Sequence, residues 1–284
     1  MAGRRGVGPF AEAVVGGLRL RLGPPWSVRS VGAGLVVSRR GEEAVVDLLD
    51  LAARHPHGVI ADDLDGIAAC VRRQVEAPPT LAAAGERLLP CLWTGAQLPA
   101  PLGLVRRPWQ DPVWIGYGVQ GDRCTFAVTS ADLRAWDADA AAVDQRAMGN
   151  LQRGDGAVSR VVAGVLYAFA DAAHPERSAA QVLAPGALER LARRCGVPAF
   201  LVALPHRGLA ILLRAPRGDD PDRLVRARWD RTRAIARRQY REALGPLTDA
   251  FFAWEQGRWT APRGAAERPA TASGAPPQGA LGLG

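Results

Sequence analysis

Two short apolar runs, residues 199–204 (AFLVAL) and 209–213 (LAILL), stand on either side of Pro205, His206, Arg207 and Gly208. Each is of strand length, and the four turn-forming residues between them let the two pair antiparallel. The same pattern recurs upstream. Residues 113–119 (VWIGYGV) and 123–129 (RCTFAVT) flank Gln120, Gly121 and Asp122, and residues 28–38 (VRSVGAGLVVS) can turn at Gly32 to Gly34. A chain that repeats hairpins in this way builds antiparallel sheet, which argues against a doubly wound parallel fold.

Between the hairpins the apolar period changes to that of helices. Residues 61–75 place Leu64, Ile67, Ala68 and Val71 at helical spacing, with Asp62 and Asp63 where acidic residues favour a helix start. An amphipathic helix is expected around residues 11–18, and a short one after Ser130, whose hydroxyl can cap it beside Asp132. Further helices are expected over 141–151, closing at Gly154, over 179–195, and over 223–244, with Leu224, Trp229, Ile235, Ala236 and Tyr240 as its buried stripe. Residues 88–93, 158–169 and 251–254 read as strands, 44–53 as extended or helical, and 94–111, with Pro99, Pro101 and Pro108, as a loop. The expectation is an α+β fold, mostly antiparallel sheet built from hairpins with packed helices. It divides into an N-terminal portion (1–86), a larger C-terminal portion (87–259) and a disordered tail (260–284) rich in Ala, Gly, Pro and Ser.

With 48% hydrophobic and 23% charged residues over 284 positions, the chain can bury a core without disulfides or metals, and it is neither collagen-like, coiled-coil nor largely disordered. The net charge of +8 is carried entirely by arginine. The absence of Lys removes Schiff-base chemistry of the pyridoxal-phosphate kind and the P-loop lysine. Cys70, Cys91, Cys124 and Cys195 form no CxxC pair, so neither a disulfide framework nor a structural zinc site is expected, and Cys70 and Cys195 read as small buried hydrophobes. No apolar run approaches the length that spans a bilayer, and the N-terminal stretch is interrupted by Glu12, Arg19 and Arg21, unlike a signal peptide. A cytoplasmic protein with no membrane partner is the expectation.

Five phrases carry a resemblance: RLLPCLW (87–93), VWIGYGVQGDRCTFAVTSADLRAW (113–136), RAMGNLQ (146–152), FLVALPHRGLAILL (200–213) and PLTDAFFAWEQGRW (246–259). In order and spacing they resemble the YtpQ family of bacterial proteins, a set with no established activity. The resemblance implies the α+β fold and a bacterial cytosolic setting, and no reaction. The chain has Gly208 where that family commonly carries an acidic residue, and Leu48 and Leu49 beside Asp47 where it tends to carry an Asn-Leu pair.

No catalytic constellation is assembled by spacing alone, and the glycines near Gly6 and Gly32 lack the strand–turn–helix context of a phosphate loop. The densest set of metal-ligand types is His55, His57 and Asp62, but Pro56 separates the two histidines and the acids serve the helix start, so a solvated connector is expected rather than a metal site. His206 is the one candidate general acid or base, set in a turn beside Arg207, which disfavours its protonated form when close. The strongest electrostatic feature is the helix from Arg223 to Arg241, with eight arginines against Asp222, Asp230 and Glu242. Helical spacing puts Arg226, Arg233 and Arg237 near one face, while Trp229 and Tyr240 either pack inward or stack. A solvated face whose arginine stems cover apolar surface explains part of the pattern. The leading expectation is a non-enzymatic interaction or accessory protein, without cofactor, that meets an acidic protein through this helix. The alternatives are a hydrolase or transferase with a pocket at the Pro205–Gly208 turn, and a nucleic-acid-binding protein.

Overall fold

The computed structural model describes residues 8–55, 57–97, 102–153, 158–162, 166–170, 178–215 and 223–260. Helix α1 (Gly8–Leu22) buries Ala11, Val14, Leu18 and Leu22, the apolar stripe of an amphipathic helix. It leads into β1 (Ser27–Val31), β2 (Gly34–Arg39) and β3 (Glu42–Asp47), an antiparallel meander. Gly32 supplies the positive φ of the first turn. In the second, Arg40 (φ 53°) and Gly41 (φ 92°) both adopt it, as the twist of a two-residue hairpin requires. Residues 44–53 prove to be both extended and helical. The strand ends at Asp47, whose carboxylate accepts the Leu49 and Asp50 N–H groups and so starts α2 (Leu48–Arg54).

Next come α3 (Ala61–Glu76), α4 (Leu81–Ala84), β4 (Leu88–Thr94), β5 (Arg106–Gln110), β6 (Val113–Gln120) and β7 (Thr125–Ala127). The first sheet has the order β1-β2-β3-β7-β6-β4, with β5 also on β6, and every pairing is antiparallel. Strand β5 lies where a loop was expected. It follows β7 along one edge of β6, and Pro108 is tolerated because the register shifts there and an edge position needs no ladder N–H. The anticipated division after residue 86 falls inside this sheet, because β7 returns to pair with β3.

Helix α5 (Ser130–Trp136) is capped by Thr129 rather than Ser130: the Thr129 hydroxyl accepts the Asp132 N–H while the Asp132 carboxylate accepts the Thr129 N–H at 2.7 Å. After α6 (Ala140–Arg153), residues expected as one strand form a hairpin of β8 (Val158–Val162) and β9 (Leu166–Ala170). The expected helix over 179–195 is split into a 3-10 turn (Ala179–Leu183) and α7 (Ala187–Cys195). Pro185 holds Ala184 extended (ψ 124°), and Gly186 takes φ 71°. Strands β10 (Ala199–His206) and β11 (Leu209–Arg214), helix α8 (Arg223–Glu242), and strands β12 (Phe251–Glu255) and β13 (Arg258–Thr260) complete the fold. The second sheet has the order β13-β12-β10-β11-β9-β8, again antiparallel throughout. Beyond Thr260 the tail expected to be disordered lies outside the described residues.

The two sheets share one core. Leu88, Leu92, Ile115 and Tyr117 of β4 and β6 belong to the same buried cluster as Phe200, Val202, Leu204 and Trp254, with Val143 of α6 and Leu191 of α7. Trp109 of β5 reaches the second sheet at its edge, 5.6 Å from Phe252 and 4.9 Å from Trp259 between ring centroids. Helices α1 and α3 close a separate cluster against β1, β2 and β3 (Leu18, Ile67, Val71 with Leu35 and Val46), and α8 covers Ala203, Ile211 and Phe251. Among the described residues no helix is long and apolar enough to cross a membrane.

Candidate functional site

The turn between β10 and β11 does not open to solvent; it is driven into the first sheet. Arg207 is 5% exposed, and its Nη1 donates to Asp47 Oδ2 at 2.6 Å, while Asp47 is 1% exposed. Its guanidinium stands 5.5 Å from the Trp93 ring, and its carbonyl accepts the Ala179 N–H. Asp50, one turn along α2, is also buried; it accepts from Arg54 Nε at 3.0 Å and from the Thr125 N–H at 2.9 Å. Two buried carboxylates thus face two guanidinium groups, a charge-balanced set at the junction of the sheets.

Burial raises the Asp47 carboxyl above its ordinary value, against the opposing pull of Arg207. For Arg207 burial alone would lower the value, but Asp47, followed by Cys91 and Asp50, holds the guanidinium above its usual range, so it stays charged. Among the described residues, Nε and Nη2 of Arg207 and Nε1 of Trp93 are buried donors without a hydrogen-bond acceptor. The set ties the β10–β11 turn to the first sheet.

His206 sits in the same turn, half-buried. Its Nδ1 accepts the Gly208 N–H at 3.1 Å, and the ring also hydrogen-bonds the Gln239 side chain of α8. Burial lowers its pKa and the Gln239 contact only partly opposes this, so the imidazole is neutral at pH 7 and ties the turn to α8. Of the suggested metal ligands, His55 Nδ1 lies 3.2 Å from Asp63 Oδ2, whereas His57 and Asp62 are exposed. Asp63 is also the residue that accepts the Ile60 N–H at the start of α3. Among the described residues no three His, Cys, Asp or Glu side chains are grouped to hold a metal ion. An open depression lined by Glu189, Arg193, Val197, Trp254 and Gln256 lies beside α7, away from His206.

Helix α8 lies on the second sheet with Thr232 and Ala236 buried and Trp229 and Ile235 half-buried. Trp229 packs inward, 4.6 Å from the Phe251 ring, which settles its part of the choice between packing and stacking. Arg231, Arg233, Arg237, Arg238 and Arg241 are exposed on the other side. Arg238 pairs with Glu242 at 3.0 Å, and Arg241 Nε donates to the Arg237 carbonyl. Arg226 belongs to the helix, and its side chain lies outside the described residues.

Asp47, Asp50 and Trp93 did not emerge from sequence spacing. The available signal was the presence of two carboxylates in the otherwise apolar run AVVDLLDLAA (44–53), since an acid so placed must find a buried partner. The cysteines also differ from expectation: Cys195 is only half-buried, and Cys70 and Cys124, distant in sequence, are brought together.

Fold and site together define an α+β protein of two antiparallel sheets, locked through a buried arginine–carboxylate junction and flanked by an arginine-rich outer helix. Comparison of the chain with family models, curated proteins and solved structures finds no match in any of the three.

Proposed function

We propose that the protein is a non-enzymatic interaction or accessory protein of the cytoplasm, related to the YtpQ family, that binds an acidic partner, protein or nucleic acid, through the outer face of α8. One observation carries this reading. Arg231, Arg233 and Arg237 project from a helix packed on the second sheet, and none has a hydrogen-bond or ion-pair partner for its guanidinium among the described residues. The sheet beneath fixes their spacing through Ala236 and Trp229, so opposing anions meet a preset array rather than a mobile tail.

The test is fluorescence anisotropy with labelled single-stranded DNA, duplex DNA and a polyglutamate peptide, at about 50 mM and about 200 mM salt. At least one probe should bind at the lower salt, and R231E/R233E/R237E should weaken that binding by about tenfold or more. If DNA is the ligand, the triple reversal should also flatten the dependence of log affinity on log salt by about 2 to 3, the share of three phosphate contacts. The variant should keep the far-ultraviolet circular dichroism of the parent, because all three side chains are exposed. Absence of binding to every probe at the lower salt, or binding that the reversal leaves unchanged, overturns the reading.

A further inference from the structure

Cys70 lies on α3, and Cys124 lies in the turn between β6 and β7. The fold places Cys70 Sγ against the β6–β7 turn that carries Cys124, and both thiols are buried in the cluster under α1 and α3. The turn closes over them at Gly121. A Cβ there would stand 3.0 Å from Cys70 Sγ and 2.8 Å from the Cys124 carbonyl oxygen, so the close approach depends on glycine. The two thiols are not equivalent. Cys70 is 5% exposed and Cys124 is fully buried, so a small solute reaches Cys70 first. The neighbouring Cys124 thiol and the Arg123 backbone favour the Cys70 thiolate, and Arg73 adds positive charge. These outweigh burial and bring Cys70 down to about 6, while the contact with Cys70 and burial push Cys124 well up. A thiolate beside a protonated thiol is the arrangement in which one sulfur attacks and the other resolves.

We propose that Cys70 and Cys124 form a dithiol site that is oxidised by hydrogen peroxide and closes into a disulfide joining α3 to the β6–β7 turn. The Cys70 thiolate attacks one peroxide oxygen; the O–O bond breaks, the leaving hydroxide takes a proton and becomes water, and Cys70 becomes a sulfenic acid. The Cys124 sulfur then attacks the Cys70 sulfur, the S–O bond breaks, and the departing hydroxide takes the Cys124 proton to leave as a second water. Two thiols lose two electrons and two protons, and one peroxide gives two waters. A dithiol reductant such as dithiothreitol reverses the closure by exchange.

Cys195 provides the internal control, because it is the more exposed thiol and would react first if access alone governed the outcome. The full-length reduced protein is treated with one equivalent of hydrogen peroxide, alkylated under denaturing conditions, and digested with trypsin without reductant. The expected result is peptide 55–72 joined to peptide 124–134, with Cys91 and Cys195 alkylated, at a rate about tenfold or more above that of Cys195 oxidation. In C124A the Cys70 sulfenic acid should persist and be trapped by dimedone, and in C70A Cys124 should remain reduced. Should either variant fold poorly, the peptide map of the parent chain decides alone. Oxidation of Cys195 with Cys70 and Cys124 recovered as free thiols overturns the proposal, as does a Cys70 sulfenic acid that persists in the parent without cross-linking.

Discussion

Arg207→Met removes the charge that holds the β10–β11 turn against the first sheet while keeping a flexible apolar side chain over Trp93. What remains is a carboxylate that is 1% exposed. Its Oδ1 still accepts two backbone N–H groups of α2, but Oδ2 loses the guanidinium at 2.6 Å. Stranding one member of a buried pair costs about 3 to 5 kcal/mol, and the surviving cap bonds place R207M near the lower end, about 3 kcal/mol. With a urea slope of about 3 kcal/mol per molar, suited to a chain of this size, the unfolding midpoint should fall by about 1 M, read by tryptophan fluorescence. Asp47→Asn strands the opposite charge and should cost a similar amount, although asparagine remains a competent cap. The double variant strands neither charge and should recover about 2 kcal/mol of the summed losses.

The R207M penalty also depends on pH with a definite sign. Burial already holds the Asp47 carboxyl above its unfolded value in the parent, and loss of Arg207 raises it further. Above its unfolded value, a group whose folded value is raised costs stability progressively as pH rises, up to the folded value. Parent and variant should therefore differ least in acid, where both hold the proton, and diverge as pH rises through the two folded values. A midpoint shift below about 0.3 M at pH 7, or additivity of the two single variants within about 0.5 kcal/mol, would refute the view that this pair locks the sheets.

Three further substitutions probe how helices are anchored. T129A should cost about 1 kcal/mol in urea unfolding and S130A less than half of that, because Thr129 supplies the cap oxygen to Asp132; the reverse order would show that Ser130 caps α5. Asn150 of α6 is buried, and its Nδ2 donates to the carbonyls of Gly85 and Leu88, tying the helix to the start of β4. N150A removes a donor from both carbonyls, leaving Gly85 with only the Arg146 Nε bond, and should lower stability by about 2 kcal/mol, or Tm by about 4 to 8 °C in a circular-dichroism melt; a fall under about 1 °C would mean that the bridge contributes nothing.

What was legible in the sequence follows from how local each cause is. The β10–β11 and β6–β7 hairpins are written in short apolar runs with turn residues between them, so pairing and approximate bounds follow from neighbours alone. The break at Pro185 and Gly186 is equally local, yet the helical period resumes beyond it and hides the interruption. Strand β5 exists only because an open stretch of the β6 edge beside β7 accepts it. That is a property of the sheet rather than of RRPWQ. The Arg207–Asp47 contact joins residues 160 positions apart, and no spacing rule reaches that far.

The arginines make the same point about function. As letters, Arg207 and Arg237 contribute equally to a net charge of +8. In the fold Arg207 is spent internally against Asp47, whereas Arg231, Arg233 and Arg237 keep their charge at the surface of α8. The buried Arg207–Asp47 pair cancels within the net charge, so the excess of +8 resides in the other arginines and depends for its effect on where they stand. Exposed arginines also stand elsewhere on the surface, but those of α8 are spread over the outer half of one helix whose inner side packs through Thr232 and Ala236, so charge reversals there should disturb folding little.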